Sequence, residues 1–237
     1  MPDALTQFPE TFEDQAPAGQ VHDVVPAATS AATRKRPKPG ERRVQILQAL
    51  ASMLEQPSGE RITTAALAAR LDVSEAALYR HFASKAQMFE GLIEFIEQTV
   101  FSLVNQIVER EQASEGDAGD RGRRQAAMVI NLLVQFAEKN PGMARVMVGD
   151  ALVFENERLQ QRMNLFFDKI ESVLKQNLRE ASVLTGTPTP TVDAQAGASV
   201  ITAFCVGRLQ RFARSGFKRS PSENLEHSLA LLLTVQR

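Results

Sequence analysis

Residues 63–85, TTAALAARLDVSEAALYRHFASK, constrain this chain more than any other stretch. Leu67, Ala68, Leu71, Val73, Leu78 and Phe82 recur at a spacing that lets two short helices share one small core, and Ala68 is small enough for the helices to cross closely. That pattern is a helix-turn-helix. Ser74 is a good N-cap for the second helix, and Glu75 complements the positive end of its dipole. Asp72 stands at the turn, and Asp tolerates a left-handed backbone better than most residues. The second helix is short and polar on its outer side, as a helix that enters a duplex groove should be.

The neighbouring stretches complete a head. A first helix is predicted over residues 41–55, with Leu47, Leu50, Ala51 and Leu54 on one face and Pro57 and Gly59 ending it. Thr63 or Thr64 caps the next helix, and the hydroxyl not used in capping is free to reach a phosphate. Ser84 can cap a long fourth helix drawn to about Arg110, whose inward stripe is Phe89, Leu92, Ile96, Val100, Leu103 and Ile107. Met88 and Phe95 lie off that stripe. Core packing is the default expectation for Phe95, with partial exposure beside Glu94 and Gln98 as the reading that makes it a candidate contact.

Residues 112–122 carry charge and glycine without apolar periodicity and read as a loop. Helical spacing returns over residues 127–138. Pro141 is placed to open a short helix, and longer helices follow over residues 156–181, 192–214 and 222–235, with a loop at 185–190. No stretch alternates with period two for long enough to make a strand. The expected fold is all-α, with a head over residues 41–86 and a helical bundle over 87–237. Small residues beside large ones (Ala194, Gly197, Ala198, Ile201, Phe204, Cys205, Arg208) and a leucine face (Leu225, Leu229, Leu232, Leu233) could finish a monomer core. With a helix-turn-helix present, they are expected to form a four-helix dimer interface.

The net charge of −1 hides a separation along the chain. Residues 1–33 hold Asp3, Glu10, Glu13, Asp14 and Asp23 without Lys or Arg, and read as a disordered acidic tail. The sign then reverses. Arg34, Lys35, Arg36, Lys38, Arg42 and Arg43 are offset only by Glu41, and a basic arm beside such a head can track phosphates and release counterions. A single cysteine, Cys205, rules out an intramolecular disulfide and fits a reducing cytoplasm. No apolar run approaches the roughly 18 residues of a membrane span, and no signal peptide is expected. The three histidines and the carboxylates show no metal-ligand spacing, and no phosphate loop, GxGxxG or GxSxG is present, so neither an enzyme nor a cofactor is expected.

The run ITTAALAARLDVSEAALYRHFASKAQMFEGLIE resembles the signature of the TetR/AcrR family, which implies a dimeric, all-helical DNA-binding protein. SEAALYRHFASK followed by LIEFIE, then EKNPGMARVMVGDALVFENERLQQRM and AFCVGRLQRFARSGFK, is similar to the nucleoid occlusion factors of that family. This resemblance implies a cytoplasmic, nucleoid-associated homodimer on dispersed palindromic sites of double-stranded DNA. While on DNA, such proteins bind the tubulin-like division protein FtsZ and antagonise its polymers. It also implies a DNA surface of Thr63, Thr64, Ser74, Glu75, Ala76, Ala77, Tyr79, His81 and Lys85. Tyr79, His81 and Lys85 would be phosphate anchors, with Ala76 and Ala77 at thymine methyls and Ser74 at a base edge. The implied partner surface is Phe95, Leu132, Lys139 and Asn140; Asn140 also suits a helix end and Leu132 a core. Leu103 and Gln135 depart from the basic residue and the glycine usual in that group. The competing reading is a repressor controlled by a small molecule, in a pocket lined by Met163, Phe166, Phe167 and Phe204.

Overall fold

The structure, a computed structural model, describes residues 40–56, 61–113, 118–184 and 186–234. The acidic tail, Arg34, Lys35, Arg36, Lys38, Pro57, Gly59 and Val235 lie outside them. Every regular element among the described residues is helical. They are α1 (Glu41–Leu54), α2 (Thr64–Arg70), α3 (Glu75–Tyr79), α4 (Lys85–Gln112), α5 (Ala118–Lys139), α6 (Pro141–Met147), α7 (Glu157–Leu184), α8 (Pro190–Arg214) and α9 (Leu225–Thr234), with a 3-10 turn at Asp150–Leu152.

Local chemistry sets the head. Thr63 accepts from the Ala66 amide at 3.1 Å, Ser74 from Ala77 at 3.3 Å and Ser84 from Gln87 at 3.2 Å, so three helices start on the side chains suited to start them. Asp72 takes φ 54°, the left-handed turn conformation anticipated for it. Leu47, Leu50, Leu67, Leu78 and Phe82 close the small core between α1, α2 and α3.

The head does not sit on the rest as a separate bead. α4 packs against α1 on one side and α5, α6 and α7 on others, so Met88, Phe89, Leu92, Phe95, Ile96 and Val100 are all buried. Phe95 takes the core position and not the partly exposed one: it is 1% exposed with its ring centroid 6.3 Å from that of Phe136. A single amphipathic stripe assumes one packing partner, and α4 has four. The stripe also fades late: Leu103 and Ile107 are only half-buried.

α5 begins at Ala118, earlier than predicted. Gly122 belongs to it, and a Cβ there would meet the Asn177 carbonyl oxygen at 2.1 Å. The glycine marks the close approach of α5 to α7, and a crossing glycine reads like a loop glycine in sequence. α7 and α8 run antiparallel, with Gln195 donating to Glu171 at 2.8 Å and Arg179 to Thr191 at 3.3 Å. Ala194, Gly197, Ala198, Ile201 and Cys205 of α8 face inward, and Leu225, Leu229 and Leu233 of α9 finish the same core. These residues, expected at a dimer interface, are buried within their own chain. The outward face of α8 instead presents Val192, Ala196, Val200 and Ala203.

Candidate nucleic-acid interface and partner surface

The two short helices of the motif are tied to each other. Thr64 Oγ1 donates to Glu75 Oε2 at 2.6 Å, bridging α2 to α3, so the hydroxyl expected to be free for a phosphate already has a partner. On α3, Ala76 is exposed, Ala77 half-buried and Tyr79 46% exposed, which leaves the phenol in water. Arg80, the C-cap residue of α3, is also exposed and is a cation outside the set expected from sequence. Its position next to Tyr79 was the available signal.

The cations divide into two groups. Arg42 donates to Gln45 at 3.0 Å within α1 and remains near the surface. Arg43 donates to the His81 carbonyl at 2.8 Å, and its guanidinium lies 4.4 Å over the Phe82 ring, so it fastens α1 to the α3–α4 turn. Lys85 is engaged by the body: its ammonium donates to Glu155, just before α7, and lies 5.6 Å from the centre of the Phe89 ring. Arg43 and Lys85, both expected at DNA phosphates, are each held here by groups of the chain itself. Arg34, Lys35 and Arg36 fall outside the described residues.

The four candidate partner residues gather around Phe136 on α5. Asn140 Nδ2 donates to the Phe136 carbonyl at 2.8 Å, Phe95 packs on the Phe136 ring, and Leu132 lies one turn back at 9% exposure. Lys139 alone is well exposed. With Asn140, Gln48, Ser52 and Glu55 it borders a cleft of about 230 Å³ between α1 and the α5–α6 junction, where partial burial raises the Glu55 pKa above the ordinary carboxylate value.

A larger cleft of about 660 Å³ lies between α6, α7 and α8, bordered by Met147, Met163, Phe167 and Val206 with Asp150, Asp168 and Arg214. Two of the four residues expected to line a ligand pocket border it. Phe166 packs instead against Phe101 at 5.4 Å and Phe167 at 5.1 Å, and Phe204 lies 4.7 Å beneath Arg208. Among the described residues no group of three or more His, Cys, Asp or Glu could hold a metal ion, and no helix is long and apolar enough to cross a membrane. Burial pushes the Cys205 thiol up to about 12, which removes it as a nucleophile at neutral pH.

Residues 46–92 match the family described as bacterial regulatory proteins, tetR family. Residues 124–236 match the SlmA-like group described as tetracyclin repressor-like, C-terminal domain. Among solved structures, FadR from Bacillus subtilis, in complex with stearoyl-CoA, aligns with a TM-score of 0.62 at 16% identity, covering 81% of this chain and 97% of that one. The TetR-family regulator PfmR from Thermus thermophilus aligns at 0.60 and 19% identity, covering 80% and 97%. At such identities they speak for the fold alone. Fold and head together define a helix-turn-helix regulator of the TetR type.

The relatives narrow the class. The nucleoid occlusion factor SlmA of Vibrio vulnificus (strain YJ016) is 50% identical over 196 residues, 82% of this chain and 95% of that protein. SlmA of Colwellia psychrerythraea is 46% identical over 202 residues, 85% and 98% of the two chains. The chain belongs to the SlmA family of nucleoid occlusion factors.

Proposed function

We propose that this protein binds dispersed palindromic chromosomal sites as a homodimer and, while on DNA, binds FtsZ and antagonises its polymers, keeping the division ring off the nucleoid. The observation that carries this reading is the extent of the likeness. Half-identity to the Vibrio vulnificus factor runs through the helical body as well as the head, where a generic repressor of this fold would share the head alone.

In this reading residues 41–86 hold the DNA and residues 87–237 pair the subunits and meet the division protein. Ser74, Ala76 and Ala77 enter the major groove, while Tyr79, His81 and Lys85 meet phosphates, with Arg80 added to those contacts. The outward face of α8, Val192, Ala196, Val200 and Ala203, is the seam between subunits. It keeps two heads on a dyad, the geometry that suits half-sites about 34–36 Å apart. Lys139, exposed beside Asn140 over the buried Phe95 and Phe136, is the accessible part of the FtsZ surface. The protein works in the cytoplasm, on the nucleoid.

Sedimentation of FtsZ polymers with and without specific duplex tests the reading. Duplex is expected to strengthen the loss of polymer caused by the protein. Polymers left alone in both conditions would favour the ligand-controlled repressor, whose DNA affinity a small molecule bound in the body would lower.

A further inference from the structure

We propose that Glu155 is an internal counter-ion that holds Lys85 until a DNA phosphate takes it, so that occupancy of the head is felt in the segment entering α7. The inference rests on the reading that the head binds DNA with Lys85 at a phosphate.

Lys85 is the first residue of α4, directly after the cap Ser84 and one turn beyond the reading helix, where head and body meet. Its ammonium donates to Glu155, and the two side chains are only 18% and 8% exposed. A carboxylate buried to that degree needs a cationic partner, because a buried charge left unpaired is strongly destabilising. Glu155 has a second one. Arg61 Nε lies 3.9 Å from the same oxygen, and the Arg61 side chain is 64% exposed, while its other end donates to the Phe154 carbonyl at 3.4 Å. When Lys85 leaves, Arg61 closes on Glu155 and the charge stays matched. A cavity of about 290 Å³, bordered by Arg61, Ile62, Arg145, Ala151 and Glu155, gives Arg61 room to do so.

The lysine suits the exchange because its compact charge rides on a flexible four-carbon stem. Its departure removes one tether, at Glu155, from the segment that carries Val153 and Phe154, which are 58% and 71% exposed. DNA binding and the set of that segment are then linked, and linkage is reciprocal.

A double-mutant cycle on the full chain tests this, titrating a labelled specific duplex across a salt series with thermal unfolding measured on each variant. Glu155→Gln is expected to tighten binding roughly fivefold or more with the salt slope unchanged. Lys85→Met should weaken binding and flatten the slope by about 0.9. In the Lys85→Met background, Glu155→Gln should change affinity by less than about twofold. Equal tightening in both backgrounds would reduce Glu155 to a general negative charge and overturn the proposal, as would no tightening while Lys85→Met still weakens binding. If Lys85→Met leaves affinity and slope untouched, the phosphate role itself falls.

The unmodified chain supplies a second readout that no folding defect can imitate. The Glu155 amide donates to the Leu152 carbonyl at 3.0 Å, and its hydrogen exchange should quicken at saturating specific duplex. Unchanged exchange there would also overturn the exchange of partners.

Discussion

The Arg43 guanidinium donates to the His81 carbonyl at 2.8 Å while lying 4.4 Å over the Phe82 ring, binding the start of α1 to the turn between α3 and α4. Arg42, one residue earlier, donates to Gln45 on its own helix. Two adjacent arginines of one basic run thus have different tasks. Arg43→Ala should lower stability by about 1.5–3 kcal/mol, from a charge-assisted hydrogen bond and a ring contact. Arg42→Ala should stay within about 0.5 kcal/mol. Thermal unfolding of the two variants checks this, and equal losses would contradict the assignment.

Gly142 sets how closely α6 approaches α1. A Cβ there would lie 2.1 Å from the Ala51 carbonyl oxygen, and backbone cannot rotate away as a side chain can. Gly142→Ala should cost about 1–3 kcal/mol or more. Gly207→Ala, where nothing lies within 4 Å, should be neutral or stabilise α8 by about 0.5–1 kcal/mol. Denaturant midpoints at constant m-value separate the two.

Phe95 and Lys139, both expected at the partner surface, differ in exposure and so need different experiments. Phe95 is fully buried, so Phe95→Ala should cost about 3–5 kcal/mol, and any loss of FtsZ binding would report damaged packing. Lys139 is exposed, so Lys139→Ala should leave stability within about 0.5 kcal/mol. Polymer sedimentation with Lys139→Ala is expected to show a weaker effect on FtsZ at unchanged DNA affinity.

Cys205 makes stability fall in alkali. Its folded pKa of about 12 stands above the ordinary value of 9.0, so the contribution is complete below pH 9. Between 9 and 12 the unfolded chain ionises first and draws the equilibrium toward itself, at up to about 1.4 kcal/mol per pH unit. Cys205→Ala should show a shallower decline over that window, measured by unfolding from pH 8.5 to 11. Parallel curves would refute the assignment.

The seam proposed on α8 predicts the response to a buried charge. Val200 is 54% exposed in the isolated chain. Val200→Glu should leave each subunit folded while sedimentation velocity shifts from dimer to monomer and affinity for a palindromic site falls. A variant that stays dimeric would move the seam elsewhere.

The candidate site was legible where local chemistry decides. Caps at Thr63, Ser74 and Ser84 and the left-handed Asp72 depend on bonds that a residue makes with its own near neighbours, and they could be read from the residue types alone. The run of apolar spacing that marks a helix is local in the same way, so the all-helical class and the head followed directly.

What the tertiary structure decided is which face of each helix finds a partner, and periodicity carries no information about that. Phe95 lies off the stripe of α4 yet is buried, because four helices surround α4. The inward residues of α8, expected at a dimer interface, lie in the core of their own chain, and periodicity could not separate the two because both faces of α8 carry apolar residues. Lys85 and Arg43 read as free cations until chain distant in sequence supplied Glu155 and the His81 carbonyl. A sequence states what each side chain can bond. Only the packing of segments far apart along the chain determines which of those bonds is made, because the partner must be within reach and water must be displaced.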